Sequence, residues 1–457
     1  MADFRLAVTH LTFEGIQIFG GGVATVTRGH LRSLPRVRAA LSRHGIDLSA
    51  FFAEVAYTPE HRRWSPDNLE YARGLIADMD GELGFLPNYT QGGEPWGSWG
   101  VPELGGVENW KVESASGASF LLNVARDHDA TVGYCHDSVF ALAPLYASLQ
   151  AEAYNRARLA AIYVVHATAL THEMPLPNPE RLMVESVAMH WPKVNESAKL
   201  GRISEFMIEH LVRDYGADAS TIVPTGNGVD PADPTFQLRD RAAIDAKLAE
   251  HGVPTDRDLI FCWGRSVAYK KYDMVLKTAA RFKDALHPVL ILSPEYPEMV
   301  ELAKELGLSA TIITAFDSEL VACMLQHERT KVACALAYRE PCGLTPSEIR
   351  LHARRSGPVV VVSDTGGLPE QVESGVDGFI TRQDDVDDVA AAVDKVLGMS
   401  EGKLNKVRAA GAETILSRYT WSTQILTTLA ATVPEVAAAE EAVRAELVSD
   451  QRACVGD

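Results

Sequence analysis

The segment REPCGLTPSE, Arg339–Glu348, sets two carboxylates eight residues apart around a small turn. Gly343, Leu344 and Thr345 lead from a β-branched run into a helical pattern. Backbone N–H groups at such a helix start form an anion site by geometry and by dipole. Glu340 can then accept from sugar hydroxyls and Glu348 from a ribose diol. A capping glutamate and an exposed helix glutamate would give the same letters. Upstream, GRSVAYKKYD supplies Arg265 and Lys270, five residues apart. A guanidinium fork and a point-charge ammonium suit a diphosphate. Taken alone, the pair is slightly better read as two solvated surface cations. Downstream, in SDTGGLPEQV, Gly366 and Gly367 allow close backbone approach.

The first half of the chain offers a second set. FGGGVATVTRGHL (19–31) reads as a phosphate or sugar cradle at Gly21 and Gly22, although glycine-rich turns are common. One strand pattern runs out at His136 and Asp137, another at His166. A lone strand-end histidine is more often structural than catalytic. Two of them facing one cleft weigh toward function.

The elements that must position these residues follow one rhythm. In the second half, strand patterns at 259–263, 288–292, 310–314, 331–336 and 358–362 alternate with helical patterns. Near-continuous apolar strands between helices indicate a parallel sheet covered on both faces. The right-handed crossover rule then gives a doubly wound, Rossmann-like domain. The first half repeats the rhythm at 5–11, 130–135, 160–166 and 220–226. Residues 85–118, rich in Gly, Pro, Trp and Asn, read as a long excursion. The fold class expected is α/β, two Rossmann-like parallel-sheet domains across a cleft. The boundaries expected are 1–235, 236–418, and 419–457 for a helix returning to the first domain plus a frayed acidic tail.

A chain of 457 residues exceeds what one core usually serves. Its net charge of −18 argues against a nucleic-acid or anionic-membrane binder. The six cysteines show no CxxC spacing, which reads as reduced thiols in a cytoplasm. Neither a signal peptide nor a membrane span is expected.

CHDSVFALAPLY, YVVHATAL, TGNGVDPADP, GRSVAYKKYD, EPCGLTPSE and DTGGLPEQV together resemble the retaining two-domain (GT-B) glycosyltransferases, above all glycogen and starch synthases. The resemblance runs over about residues 5–425 and implies a role for each position. Arg265 and Lys270 would neutralise a donor diphosphate, with no metal or other cofactor. Glu340 would contact the donor sugar, Glu348 would hold the ribose as in the E-x7-E group, and Gly343–Thr345 would meet phosphate or sugar oxygens. His166 would stand by the reactive face of the sugar, Asp137 near the acceptor and Asn227 near the donor sugar. The implied chemistry is same-face attack through an ion-pair state. The partners implied are a small-molecule donor and acceptor, with no nucleic acid and no membrane; a homodimer is left open.

The chain departs from glycogen synthases at Phe19, where those enzymes carry a lysine before the glycines. Trp96, Trp99 and Trp110 are candidates to stack on an acceptor ring, or to pack in a core. These departures fit a small acceptor in specialised metabolism. Two alternatives stand beside this reading. One is a pseudo-glycosyltransferase of the kind found in acarbose-type antibiotic biosynthesis, joining a nucleotide-linked cyclitol to an amino group. The other is a non-catalytic nucleotide-sugar-binding protein on the same scaffold.

Overall fold

The computed structural model describes residues 4–88, 106–153, 158–172 and 176–456. The chain divides into two compact units. One holds the residues up to Asp230 together with Trp421–Asp450, the other Pro231–Thr420 together with the last residues from Gln451. The strands of the first unit are β1 (Phe4–Thr12), β2 (Ile46–Val55), β3 (Leu83–Leu86), β4 (Ala130–His136), β5 (Leu159–Val165), β6 (Ala198–Arg202) and β7 (Ile222–Pro224). They pair in the order β3-β2-β1-β4-β5-β6-β7, all parallel. The second unit has β8 (Asp258–Arg265), β9 (Leu286–Ser293), β10 (Thr311–Ile313), β11 (Thr330–Ala335), β12 (Val359–Ser363) and β13 (Phe379–Thr381). Their order is β10-β9-β8-β11-β12-β13, again all parallel.

Both sheets are thus doubly wound about a reversal of strand order, β1 against β4 in one and β8 against β11 in the other. Ligand sites of such sheets lie at the carboxyl ends of the strands beside that reversal. The composition of the strands explains the architecture. In the second sheet Ile260, Cys262, Leu290, Val332 and Val361 pack on one face. Their neighbours Leu259, Phe261, Val289, Ala333 and Val360 pack on the other. With both faces covered, every position must be apolar, so the runs do not alternate. In the first sheet all seven residues of β4 and of β5 are buried for the same reason.

Three expectations change. The excursion read over 85–118 contains helix from Val107 to Ala125. Its turn signals mask a buried face of Val107, Trp110, Ser114, Ala118 and Leu121. The acidic tail is not frayed: Pro434–Val455 is a 22-residue helix with Val443 and Leu447 fully buried. The helix expected from residue 419 starts instead at Trp421 and ends at Thr432, short of the tail helix. β2, β3, β6 and β13 carry no reading from the sequence. Short or polar-interrupted strands leave little periodic signal.

Candidate functional site

In the second unit, three loops interlock at the strand reversal. β8 nears its end at Gly264, whose φ of +142° no side chain adopts easily. Tyr272 donates its hydroxyl to the Arg265 carbonyl at 3.1 Å. Lys271 takes a left-handed conformation, φ +55°, and its ammonium lies 2.8 Å from Asp384. Lys270 meanwhile reaches Glu340, Nζ to Oε2 2.6 Å. The loop after β11 is tied to the first by the Tyr338 amide, which donates to the Tyr269 carbonyl at 2.6 Å. The Glu340 carbonyl accepts from the Gly367 amide at 2.8 Å. Gly366, at φ +67°, lies so close that a Cβ there would collide with that carbonyl. Gln371 closes the assembly: its amide donates to the Gly343 carbonyl at 2.9 Å and accepts from Ser347 Oγ at 2.9 Å.

These loops enclose a recess lined by Trp263, Lys270, Tyr272, Glu340, Gly343, Thr345 and Leu368. The helix Thr345–His352 starts at its edge, and no side chain caps that start. The neighbouring helices Arg241–Glu250, Ser318–Gln326 and Val386–Leu397 are each capped by an aspartate. An open helix start beside an ammonium is suited to an anion. Burial pulls the Lys270 pKa down. Glu340 and Tyr269 outweigh it, so the pKa stands above the ordinary lysine value and the charge is kept. Glu348 sits in the first turn of that helix. Burial raises its pKa to about 7, against the attraction of Lys270. Arg265 is exposed and donates to the Tyr269 hydroxyl at 3.3 Å. Lys270, Glu340, Gly343 and Thr345 therefore line one recess. Leu344 precedes Thr345 as the helix N-cap residue, Glu348 lies a few residues on and Arg265 ends β8 beside the recess.

In the first unit, the residues singled out fall into separate surroundings. His166 follows β5 and is half-buried. Its Nε2 lies 3.0 Å from His136 Nδ1, and burial holds its pKa at about 4. Asp137 adopts φ +64° and turns inward, its Oδ1 accepting from the Ser138 amide at 2.7 Å. Burial raises the Asp137 pKa to about 6, with Arg181 opposing. Arg181 and Glu185 form a fully buried ion pair at 2.7 Å that stitches the loops after β4 and β5. Glu185 accepts from Ser138 Oγ at 2.9 Å and from the Ala169 amide at 3.0 Å. Asn227 lies on the loop after β7. Trp421 donates its amide to the Val229 carbonyl at 3.1 Å there.

The glycine turn after β1 is built differently from a bare cradle. Glu14 Oε1 accepts from the Ala24 amide at 3.1 Å, so a carboxylate already occupies the start of the helix Gly22–Ser42. Gly21 is packed so closely on that carboxylate that a Cβ would collide with it, whereas nothing crowds Gly22. Arg63 lies 3.7 Å from Glu14, and the Arg28 guanidinium stands 4.8 Å from the Phe19 ring centre. The missing lysine is accompanied by two arginines that sequence reasoning does not single out, because Arg28 lies inside a helix and Arg63 follows β2, a strand without a periodic signal. Trp110 is buried at 1% exposure, so core packing is its role. Trp96 and Trp99 lie outside the described residues. No cluster of metal-ligating side chains occurs among the described residues, and no helix there is long and apolar enough to cross a membrane.

Comparison with known proteins finds relatives in sequence and in fold. D-inositol 3-phosphate glycosyltransferase of Mycolicibacterium smegmatis is 26% identical over 238 residues, 50% of this chain and 51% of that protein. The chain thus spans about half the length of the curated relatives it matches. Among solved structures, Anabaena HepE in complex with UDP-glucose superposes with a TM-score of 0.59 at 14% identity, covering 95% of this chain and 99% of that one. The catalytic domain of starch synthase IV from Arabidopsis thaliana, bound to ADP and acarbose, gives 0.59 at 15% identity, covering 98% and 100%. Residues 243–414, the greater part of the second unit, match the family described as glycosyl transferases group 1, and the chain shares its fold with these solved glycosyltransferase and synthase structures.

Proposed function

We propose that the protein is a retaining glycosyltransferase that moves a sugar from a nucleoside-diphosphate donor to a small acceptor. One observation carries the reading: Lys270, paired with Glu340 at 2.6 Å, stands beside an uncapped helix start within the matched segment. In this reading Lys270 and Arg265 hold the diphosphate and stabilise the charge that develops on it as it leaves, in the place where other enzymes use a metal ion. Glu340 keeps Lys270 charged and offers its second oxygen to the sugar. Glu348 holds the ribose, and Gly343–Thr345 offer backbone N–H groups to the phosphate. Positioning and fixed electrostatics supply the catalysis. Same-face departure and attack needs no protein nucleophile.

His166 and Asp137 are assigned to the sugar and acceptor. The acceptor class we favour is a small polyhydroxylated molecule, since the relatives sharing 26% identity act on an inositol phosphate by name. A cytoplasmic setting goes with the use of activated nucleotide donors. Calorimetric titration with ADP, GDP, UDP and dTDP tests the reading. One of them should bind, and the Lys270→Ala protein should bind it more weakly. Failure of all four to bind would sink the proposal.

A further inference from the structure

Four histidines lie together in the first unit, and only His166 enters the functional reading. His10 is on β1, His30 on the helix Gly22–Ser42, His136 ends β4, and His166 follows β5. Strand register lines up three of them. His10 pairs with Tyr134, two residues before His136, and His136 pairs with Val164, two residues before His166. Side chains alternate with period two along a strand, so the three rings share one face in a diagonal row. His10 Nδ1 lies 3.0 Å from His136 Nε2, and His136 Nδ1 lies 3.0 Å from His166 Nε2. The rings are nearly coplanar and meet edge to edge, at interplanar angles of 8° and 17°.

A neutral imidazole has one N–H and one lone pair. Burial keeps His10, His136 and His166 below the ordinary histidine pKa, hence neutral near pH 7. Two hydrogen bonds among three neutral rings then allow only two arrangements. In the first, His10 Nδ1–H donates to His136 and His136 Nδ1–H donates to His166. This leaves His166 with Nδ1–H and leaves His10 Nε2 bare. In the second, every proton sits on the opposite nitrogen, and His10 carries Nε2–H.

The His10 end decides between them. His10 Nε2 is buried without a hydrogen-bond partner. Phe52 and Tyr134 stack on the His10 ring, centroids 4.6 Å away in each case, and His30 stands edge-on at 4.9 Å. An N–H in that aromatic cage would have no acceptor, and orphaned buried N–H groups are the rarer kind. The first arrangement avoids one.

We propose that His10 and His136 are positioning residues that lock His166 in its Nδ1–H tautomer. At the half-buried end of the row His166 then presents a hydrogen-bond donor, selective for a ligand oxygen that accepts. The tautomer is a property of the protein alone; only its use toward a sugar or acceptor oxygen rests on the function proposed above.

The test is a long-range 1H–15N correlation spectrum of the protein labelled with 15N-histidine, without ligand. Protonated and bare ring nitrogens resonate far apart, and His166→Gln assigns the signals. His166 should show Nδ1 protonated and Nε2 bare. His10→Phe keeps the aromatic stack but removes the link, and should turn the His166 signal into a mixture of tautomers. A bare Nδ1 in the unaltered protein would overturn the proposal, and so would a His166 signal unchanged by His10→Phe. The spectrum of the unaltered protein decides even if the variant does not fold. Because no substrate is used, the outcome is separate from that of nucleotide binding.

Discussion

Each unit places an ion pair beside its strand reversal, and the two pairs are finished differently. Arg181–Glu185 in the first unit is wholly buried, and both Glu185 oxygens are taken up by Ser138, Ala169, Arg181 and Tyr215. Lys270–Glu340 in the second unit keeps 20% and 16% of its side-chain surface, with one Glu340 oxygen bonded to Lys270. The first pair spends all its bonding capacity on holding loops together. The second holds loops together and retains capacity at a recess. Polar groups buried with every partner satisfied fix a shape, whereas groups left partly open can still meet a ligand.

The most direct challenge to this contrast removes one partner from each pair. Glu185→Ala takes its direct ion-pair partner from a buried guanidinium and should cost about 3–5 kcal/mol in urea unfolding. The exposed pair Lys304–Glu301 is the control, where Glu301→Ala should change stability by less than about 1 kcal/mol. A small loss at Glu185 would show that the loops after β4 and β5 are held by something else.

Lys270→Ala should behave in the opposite sense. Turnover with a competent nucleotide sugar should fall about a hundredfold to a thousandfold, with the circular dichroism spectrum unchanged. Near-normal turnover would remove Lys270 from the chemistry.

Gly366→Ala comes next. A Cβ there meets the Glu340 carbonyl in a left-handed backbone, so about 1–3 kcal/mol of stability should be lost, seen as a lowered Tm. An unchanged Tm would mean the loop can move away without penalty.

The last contrast is in pH dependence, where the two units should differ in sign. His10 has a folded pKa well below 6.5. Below pH 6.5 the unfolded chain takes up a proton that the folded one refuses, so stability falls as pH drops. Glu348 has a folded pKa raised from 4.5 to about 7. Between those values the folded chain holds the extra proton, so stability falls as pH rises. Each slope is about 1.4 kcal/mol per pH unit. Comparing His10→Phe and Glu348→Gln with the unaltered protein over pH 4.5–7.5 isolates each contribution. His10→Phe should flatten the acid side and Glu348→Gln the neutral side. The same slope change from both would contradict the assignment.

Much of the second unit is legible in its amino-acid sequence. Its strands are buried on both faces, so their apolar runs stand out, and loops after such strands are where ligands bind. That logic picks Lys270, Glu340, Gly343 and Thr345, which share a recess. In the first unit it picks His166 and misses His10 and Arg181. His10 lies inside a strand and Arg181 inside a helix, positions where a polar letter carries no periodic mark. Gly21 shows the opposite failure: the glycines are visible, but the Glu14 carboxylate that fills the turn is not.

Local pattern is enough to dictate the two doubly wound sheets, the turn chemistry after β8, β11 and β12, and an anion-suited segment in an acidic chain. Each of these depends on neighbours in the chain: apolar runs, glycine where no side chain fits, and charge next to a turn. Which carboxylates are already satisfied is a matter of tertiary packing. So is the meeting of three histidines, on or just after strands more than a hundred residues apart at the extreme, ring nitrogen to ring nitrogen. Register between parallel strands arises from distant crossovers, and no local pattern encodes which side chains it brings abreast.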